Sequence, residues 1–495
     1  MRSLWLDTAP SIPSDSLPAG SAFDSVVVGA GLTGLTTALL LARAGHRVAV
    51  LEARTTGAVT TGNTTAKLSL LQGTTISTIL KHHDAELARA YVMGNREGQS
   101  WLLRFCDEHG IAYDRRDAVD YATTDTGARM LVAEHEACTE AGLDTQLGSA
   151  ATLPFPVRKT LRLKDQAQFH PLEVLAGLAS EFRRHGGVLV EGVRAQGVVK
   201  TGSAGVELAT TAGPVSASNV VLASGIPILD RGGYFAVLQP MRSYCVALTV
   251  HDAVPEDMYL SADSPTRSLR TAVVNGTKYL IVGGNGHKVG HSSNTQSRVD
   301  DLTRWAQEYF PTATPAFAWS AQDYAPAAAV PYVGKVPAGG GHIYAATGYN
   351  KWGMTNAVAA SLALSSEILG GNMPWAGTLY RTRVSPSDAL QTAQTNAMVG
   401  LEMVSGWLSG LAKSGASAPG EGEGRVVREG ARPVGLCTVD GVQHRVSAVC
   451  PHLKGILTWN DAERSWDCPL HGSRFTADGK LLEGPSTSDL ADTRR

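Results

Sequence analysis

Apolar positions change period several times along this chain. Residues 25–28 form a short strand pattern with three consecutive valines, 32–44 are apolar over most of their length, and 46–51 end in the apolar run 48–51. Short apolar runs read as buried strands, and the longer one between them reads as a buried helix. Together they predict an opening strand–helix–strand unit with a parallel pair of strands. Helical periodicity recurs over 76–109. Between 170 and 185, Leu172, Leu175, Ala179 and Phe182 fall on one helical face. Strands are predicted at 188–190, 193–199, 206–209 and 220–222. A β-rich stretch covers roughly 234–285, clearest at 245–250 and 279–282, and 342–370 return to strand, glycine turn and helix.

The pattern then changes character. Residues 385–412 predict one connecting helix: Ser385-Pro386 suits an N-cap with a first-turn proline, and Leu390, Ala393, Ala397, Leu401, Val404, Leu408 and Leu411 recur at three- and four-residue steps. Residues 413–424 read Lys-Ser-Gly-Ala-Ser-Ala-Pro-Gly-Glu-Gly-Glu-Gly, the composition of a flexible linker and the sharpest boundary in the chain. Residues 1–20 are a Pro/Ser-rich leader without periodicity. The organisation expected is therefore a leader (1–20), a large body (21–384), the connecting helix, the linker and a small C-terminal domain (425–495).

Composition narrows the classes of function. A chain of 495 residues can bury two or three cores. Its formal net charge is -2 and it has no long basic run, which argues against nucleic acid and anionic membrane as partners. Arg43 interrupts the most apolar helix, so no membrane span is expected. The N-terminus lacks the apolar stretch of a signal peptide. The six cysteines are too scattered for a disulfide framework, which points to a reducing, cytoplasmic setting.

Two motifs carry chemistry. Gly29-Ala30-Gly31-Leu32-Thr33-Gly34 follows a predicted strand, opens a predicted helix, and is followed by an acid, Glu52, at the end of the next strand. In that context the first glycine permits the tight turn. The second lets backbone approach a pyrophosphate, and the third lets helix and strand pack closely. The helix N-terminus at Leu32 and Thr33 favours the anion. Glu52 is placed to accept hydrogen bonds from a ribose, with Ala53 and Arg54 beside it. The second motif is Cys450-Pro451-His452, fifteen residues, then Cys468-Pro469-Leu470-His471. That C-x-H…C-x-x-H spacing is the ligand set of a Rieske [2Fe-2S] cluster, two thiolates on one iron and two imidazoles on the other. Cys and His also suit zinc, which stands as the competing reading.

Further segments carry a family resemblance. These are Thr61-Gly-Asn-Thr-Thr-Ala-Lys-Leu68, Gln168-Phe-His-Pro171, Val220-Val-Leu-Ala-Ser-Gly225, Gln322-Asp-Tyr324 and Thr347-Gly-Tyr-Asn-Lys-Trp-Gly-Met-Thr355. Over about 22–380 the chain resembles the glycine-oxidase/D-amino-acid-oxidase-like FAD oxidoreductases. Over nearly its whole length it resembles the bacterial members that carry a C-terminal Rieske domain. The resemblance implies an α/β FAD-binding Rossmann-like domain with an interleaved β-rich substrate domain (segments about 75–165 and 230–330), plus a C-terminal all-β Rieske domain. It implies that Thr64, Thr65, Ala66 and Lys67 run along the flavin ring and that the Val193 backbone meets the adenine. Ser224 and Gly225 end the strand beneath the nucleotide, and Gly348, Trp352, Gly353, Met354 and Thr355 approach the flavin and its ribityl chain. Relatives that attach FAD covalently use a His near the first loop or a Cys near Gln322. Residues 60–68 contain no His and 322–334 no Cys, so non-covalent FAD is expected.

Departures from the Rieske pattern carry their own implications. High-potential Rieske proteins clamp the two loops with a disulfide, and the matching positions here are Gly455 and Leu470. They also place a Tyr hydroxyl near the cluster, where this chain has Phe475. Ser473 remains as a donor. Fewer hydrogen bonds to sulfur stabilise the reduced state less, so the potential is expected low in the Rieske range of roughly -150 to +300 mV.

Candidate substrate-handling residues are Lys67, Arg242, Arg270 and Lys351. A cation roofing the flavin can hold a substrate carboxylate. His287 and His291 read as exposed loop residues without the carboxylate partner of a mononuclear iron site, which argues against a Rieske oxygenase. The function expected is oxidation of a small amine or amino-acid-like C–N substrate. FAD would take a hydride, and the cluster would pass electrons singly to an external acceptor or partner protein. Two alternatives stand beside it: reversed flow, in which a cluster-fed FAD reduces an imine, and an electron-transfer component serving a separate oxygenase.

Overall fold

In the computed structural model, residues 1–18, 20–149, 151–202, 205–229, 233–251, 253–292, 294–380, 418–430 and 432–491 are described. The predicted connecting helix at 385–412 and the first part of the linker lie outside the described residues.

The opening unit forms as its pattern requires. Strand Ala22–Val28 leads into helix Leu32–Arg43, and strand Val48–Leu51 returns parallel to the first. Among the described residues this sheet runs Tyr332–Lys335, Ile343–Thr347, Val215–Leu222, Ala22–Val28, Val48–Leu51, Val188–Val190. Along this path all neighbouring pairs are parallel except the first, Tyr332–Lys335 with Ile343–Thr347; off it, Gly205–Thr210 pairs antiparallel with both Val215–Leu222 and Ala195–Gly202. Its central strands are buried on both faces, which explains their unbroken apolar runs. On one side, helices Leu32–Arg43, Ala85–His109, Pro171–Arg184 and Gly353–Ile368 share one core, with Leu35, Leu39, Leu175 and Val358 fully buried. Each such side chain contributes about 1.5–3 kcal/mol. The helical pattern over 76–109 proves to be two helices, Thr75–His82 and Ala85–His109, divided where the Asp84 side chain accepts the Leu87 N–H as an N-cap.

The second lobe is a mixed sheet built from both interleaved segments. In order it runs Thr314–Pro326, Leu238–Thr249, Thr277–Lys288, Arg267–Val274, Met258–Ser261, Tyr113–Ala122, Lys159–Phe169, Lys67–Leu68. Helices Asp125–Glu140 and Gln296–Tyr309 belong to this lobe. Neither was foreseen, because each shows only a thin buried stripe (Val299, Leu302 and Ala306 in the second).

The C-terminal region is all-β. Strands Gly424–Glu429, Arg432–Val439 and Val442–Ser447 form one antiparallel sheet, and Thr458–Asn460, Ser465–Asp467, Arg474–Thr476 and Leu481–Glu483 form another.

One expectation is corrected by packing. The opening segment is no loose leader: Leu4 and Trp5 are fully buried, the Ser3 hydroxyl donates to Gly62 O at 2.6 Å, and Trp5 Nε1 donates to Thr64 O at 2.7 Å. The C-terminal region packs against the rest of the chain. It is seated on the second lobe, where Thr295 Oγ1 bonds Asn460 Oδ1 (2.6 Å) and Thr458 Oγ1 donates to Gly290 O (3.2 Å). A Cβ on Gly290 would lie 2.7 Å from Pro469 Cα, and one on Gly472 would lie 2.7 Å from Gln322 Nε2. At Gly290 backbone meets backbone, and at Gly472 the backbone meets the side chains of Gln322 and Pro240.

Candidate cofactor sites

The glycine-rich loop lies between strand Ala22–Val28 and helix Leu32–Arg43. Gly29 has φ +107°, and an added Cβ would sit 2.6 Å from Ala223 O, so only glycine fits. Gly34 is buried instead of facing the cavity; its Cβ would fall 1.8 Å from Gly29 O, which is the close helix–strand packing its position predicts. Gly31 is the N-cap of the helix and lines a large cavity with Gly29, Leu32 and Thr33. Glu52 bridges the loop to its own strand end, accepting Ala30 N–H (2.9 Å) and Arg54 N–H (2.8 Å). Burial raises its pKa.

Most of the predicted nucleotide residues converge on this cavity. Glu52, Ala53, Arg54, Thr64, Val193, Ser224, Gly225, Gly348, Lys351, Gly353 and Met354 line it. Thr65, Ala66, Lys67, Trp352 and Thr355 do not. Thr355 is turned into the helix core, bonded to Asn95 Oδ1 and Gln72 Nε2. Sequence reasoning missed 57–61, Arg194, Gln322, Asp323, Tyr324, and four residues from the C-terminal region: Leu482, Glu483, Gly484 and Ser486. Gln322-Asp-Tyr324 carried a family signal that could have found its three.

The four candidate cations separate sharply. Lys67 points into the second lobe, donating to Tyr259 O and Ser268 Oγ at 2.7 Å each. Burial lowers its pKa to about 7, against the opposing pull of Asp120. Arg270 is buried under the 61–68 segment and donates to Thr65 O (2.8 Å), Ala66 O (3.0 Å) and Phe169 O (3.2 Å). Burial lowers its pKa to about 9. Arg242 is 0% exposed. It donates to Ser320 Oγ (2.8 Å) and Gln322 Oε1 (2.7 Å) and pairs with Asp467 of the C-terminal region at 3.5 Å. Lys351 alone of the four lines the cavity, close enough to Asp323 to act on its charge. Burial raises the Asp323 pKa to about 6, Lys351 opposes the shift, and Asp323 Oδ2 has no hydrogen-bond partner among the described residues.

The second motif forms two facing loops. The Cys450 and Cys468 thiols lie within hydrogen-bonding reach of each other, which holds Cys450 down to about 7 and pushes Cys468 up. The His452 and His471 rings are 5.1 Å apart at 88°. Cys450 N–H donates to Gly455 O (2.9 Å) and Cys468 N–H to Ser473 O (2.8 Å), closing each loop on itself. Two thiols side by side and two imidazoles side by side suit a binuclear cluster with two protein ligands per iron. Ser473 reaches Cys450. Gly455 and Leu470 do face each other: a Cβ on Gly455 would be 2.7 Å from Leu470 Cδ1, so leucine fills the space a loop-clamping disulfide takes elsewhere.

The imidazoles face Phe235. His471 is 1% exposed, and the Phe235 ring stands edge-on to it at 5.3 Å and to His452 at 6.0 Å. Gln322 Nε2 donates to Gly472 O at 2.8 Å, one residue past His471. His287, expected exposed, is instead half-buried and stacked on Tyr244 at 5.7 Å, and burial lowers its pKa to about 4.

Comparison with known proteins agrees with this architecture. Residues 24–366 match the DAO family of FAD dependent oxidoreductases, and 413–494 match the Rieske [2Fe-2S] domain. The chain belongs to the DAO family of FAD dependent oxidoreductases and carries a C-terminal Rieske domain, so its cofactors are FAD and a [2Fe-2S] cluster. The putative Rieske 2Fe-2S iron-sulfur protein YhfW of Bacillus subtilis is 31% identical over 486 residues, covering 97% of this chain and 95% of that protein. Glycine oxidase from Geobacillus kaustophilus shares the fold with a TM-score of 0.62 at 19% identity, over 73% of this chain and 99% of that one. L-Proline dehydrogenase from P. horikoshii does so with a TM-score of 0.61 at 17% identity, over 74% and 98%. Among the described residues no helix is long and apolar enough to cross a membrane.

Proposed function

We propose that this oxidoreductase oxidises a small amine or amino-acid-like substrate at a C–N bond and sends the electrons from FAD through its own Rieske cluster to an external acceptor. The supporting observation is the Gln322 bridge. Strand Thr314–Pro326 lends Gln322, Asp323 and Tyr324 to the nucleotide cavity, and Gln322 also donates to Gly472 O beside His471. One side chain thus touches the surroundings of both cofactors. When bound, FAD supplies two-electron hydride chemistry and the cluster takes electrons one at a time.

The chain's residues supply position and polarity. The loop of Gly29 and Gly31 and the start of helix Leu32–Arg43 would hold the pyrophosphate, and Glu52 would hold the ribose. Cys450 and Cys468 would hold one iron, and His452 and His471 the other. FAD would be held without a covalent bond. Lys351, with Asp323 beside it, is the candidate substrate anchor, since the guanidinium groups of Arg242 and Arg270 already bond protein groups. Arg270 instead braces the 65–66 backbone, and Arg242 the contact between regions. The solved relatives whose names specify glycine oxidase and L-proline dehydrogenase activity favour the amine class.

The test is anaerobic mixing with a panel of amines and amino acids while flavin absorbance and the cluster EPR signal are followed. Flavin bleaching followed by cluster reduction is expected. A cluster reduced by an external donor before the flavin would reverse the direction of flow.

A further inference from the structure

The nucleotide cavity has a wall that no motif announces. Leu482, Glu483, Gly484 and Ser486 line it together with Val193 and Arg194. Three contacts fasten this wall to both halves of the molecule. Arg194 Nη2 donates to Leu481 O at 3.1 Å across the domain boundary. Glu483 Oε1 accepts from Arg474 Nη1 at 2.6 Å, and Arg474 Nε also pairs with Asp467, the neighbour of Cys468, at 3.4 Å. Ser486 N–H donates to Ser473 Oγ at 3.0 Å, while Ser473 O takes the Cys468 N–H at 2.8 Å. The wall is therefore two hydrogen-bonded steps from a cluster cysteine on one side and one step from the cavity's Arg194 on the other.

We propose that residues 482–486 are part of the FAD site, so that the Rieske region closes over the bound nucleotide and cluster occupancy and FAD retention are thermodynamically linked. This rests on reading the cavity as the FAD site. The charged member of the wall is a carboxylate, which suits the hydroxyl and amino donors of the adenosine half better than the anionic pyrophosphate. Metal binding orders the loops that hold it. Strand Leu481–Glu483 is hydrogen-bonded to Arg474–Thr476 and thence to Ser465–Asp467 beside Cys468. Loss of the cluster loosens those strands and opens the wall. Linkage makes the coupling reciprocal for the two binding equilibria.

The experiment follows FAD release from full-length protein as the rise of flavin fluorescence on dilution. Holoprotein is compared with protein expressed under iron depletion, and with Arg194→Ala and Glu483→Gln loaded with both cofactors. Iron depletion is expected to accelerate release about tenfold, and each substitution several-fold while the [2Fe-2S] EPR signal persists. Release within about twofold of the holoprotein in all three preparations overturns the proposal while leaving the cavity assignment standing. A holoprotein that retains no FAD at all overturns the cavity assignment and the proposal with it.

Discussion

The two cofactor sites are assembled in opposite ways. The proposed cluster site is four side chains on two loops that lie close together in the sequence. The cavity proposed for the nucleotide is collected from stretches of chain within 28–64, 193–195, 223–228, 322–324, 346–357 and 482–486. A site made of a few side chains is fragile to single replacements and easy to recognise. A site collected from many short segments spreads its binding energy widely, and single changes matter most where a Cβ would strike something.

That contrast orders the expected effects. Cys468→Ser should abolish the [2Fe-2S] EPR signal and reduce bound iron to under about a tenth, because no neighbouring side chain can replace the thiolate. Iron retained in that variant would break the comparison at its strongest point.

Gly34→Ala tests the many-segment site at its tightest contact. A Cβ there would fall 1.8 Å from Gly29 O and push the glycine-rich loop out of place. Purified protein should hold less than about a tenth of the wild-type FAD, with overpacking costing about 1–3 kcal/mol in stability. By contrast, Gly45→Ala meets nothing within 4 Å, and its φ of +90° should lower stability without lowering FAD content.

Trp5→Ala probes the support behind the 61–66 segment. Removing a fully buried indole should cost about 3–5 kcal/mol in chemical denaturation, and the lost Nε1 bond to Thr64 O should weaken FAD binding less than Gly34→Ala does.

The smallest effect lies in pH. The Asp323 carboxyl is raised from 3.8 to about 6 by burial. The unfolded chain therefore releases this proton first, and stability falls as pH rises through the window from about 4 to about 6. Comparing wild type with Asp323→Asn by denaturation of the FAD-free protein should isolate a slope on the order of 1–3 kcal/mol across that window. A variant with the same slope as wild type would show that Asp323 titrates normally.

Much of this was legible in the sequence, for reasons the two sites make plain. Gly29, Gly31 and Glu52 sit at separations fixed by one strand–turn–helix–strand unit, and the cluster residues at separations fixed by two loops. Neither depends on how distant parts dock. Lys67, Arg242 and Arg270 were legible only as cations near the flavin lobe. Which face of a strand each side chain takes is a matter of register, and Arg242 turns out to face a partner, Asp467, more than two hundred residues away. The wall at 482–486 carries no motif because its role arises only when the C-terminal region is seated. Trp5 lay in a Pro/Ser-rich stretch whose composition hid a buried anchor.

The buried Arg242–Asp467 contact also bears on how this protein changes over generations. Replacing Asp467 takes the paired charge from the buried Arg242 guanidinium at a cost of about 3–5 kcal/mol, whereas Asp467 keeps Arg474 when Arg242 is replaced. A lineage can therefore give up Arg242 more easily than Asp467. Gly290 and Gly472 must stay small while Pro469 and Gln322 oppose them. The two regions, whatever their separate origins, are now inherited as one object: a Rieske module grafted in from another protein would bring the right cluster ligands and the wrong seam.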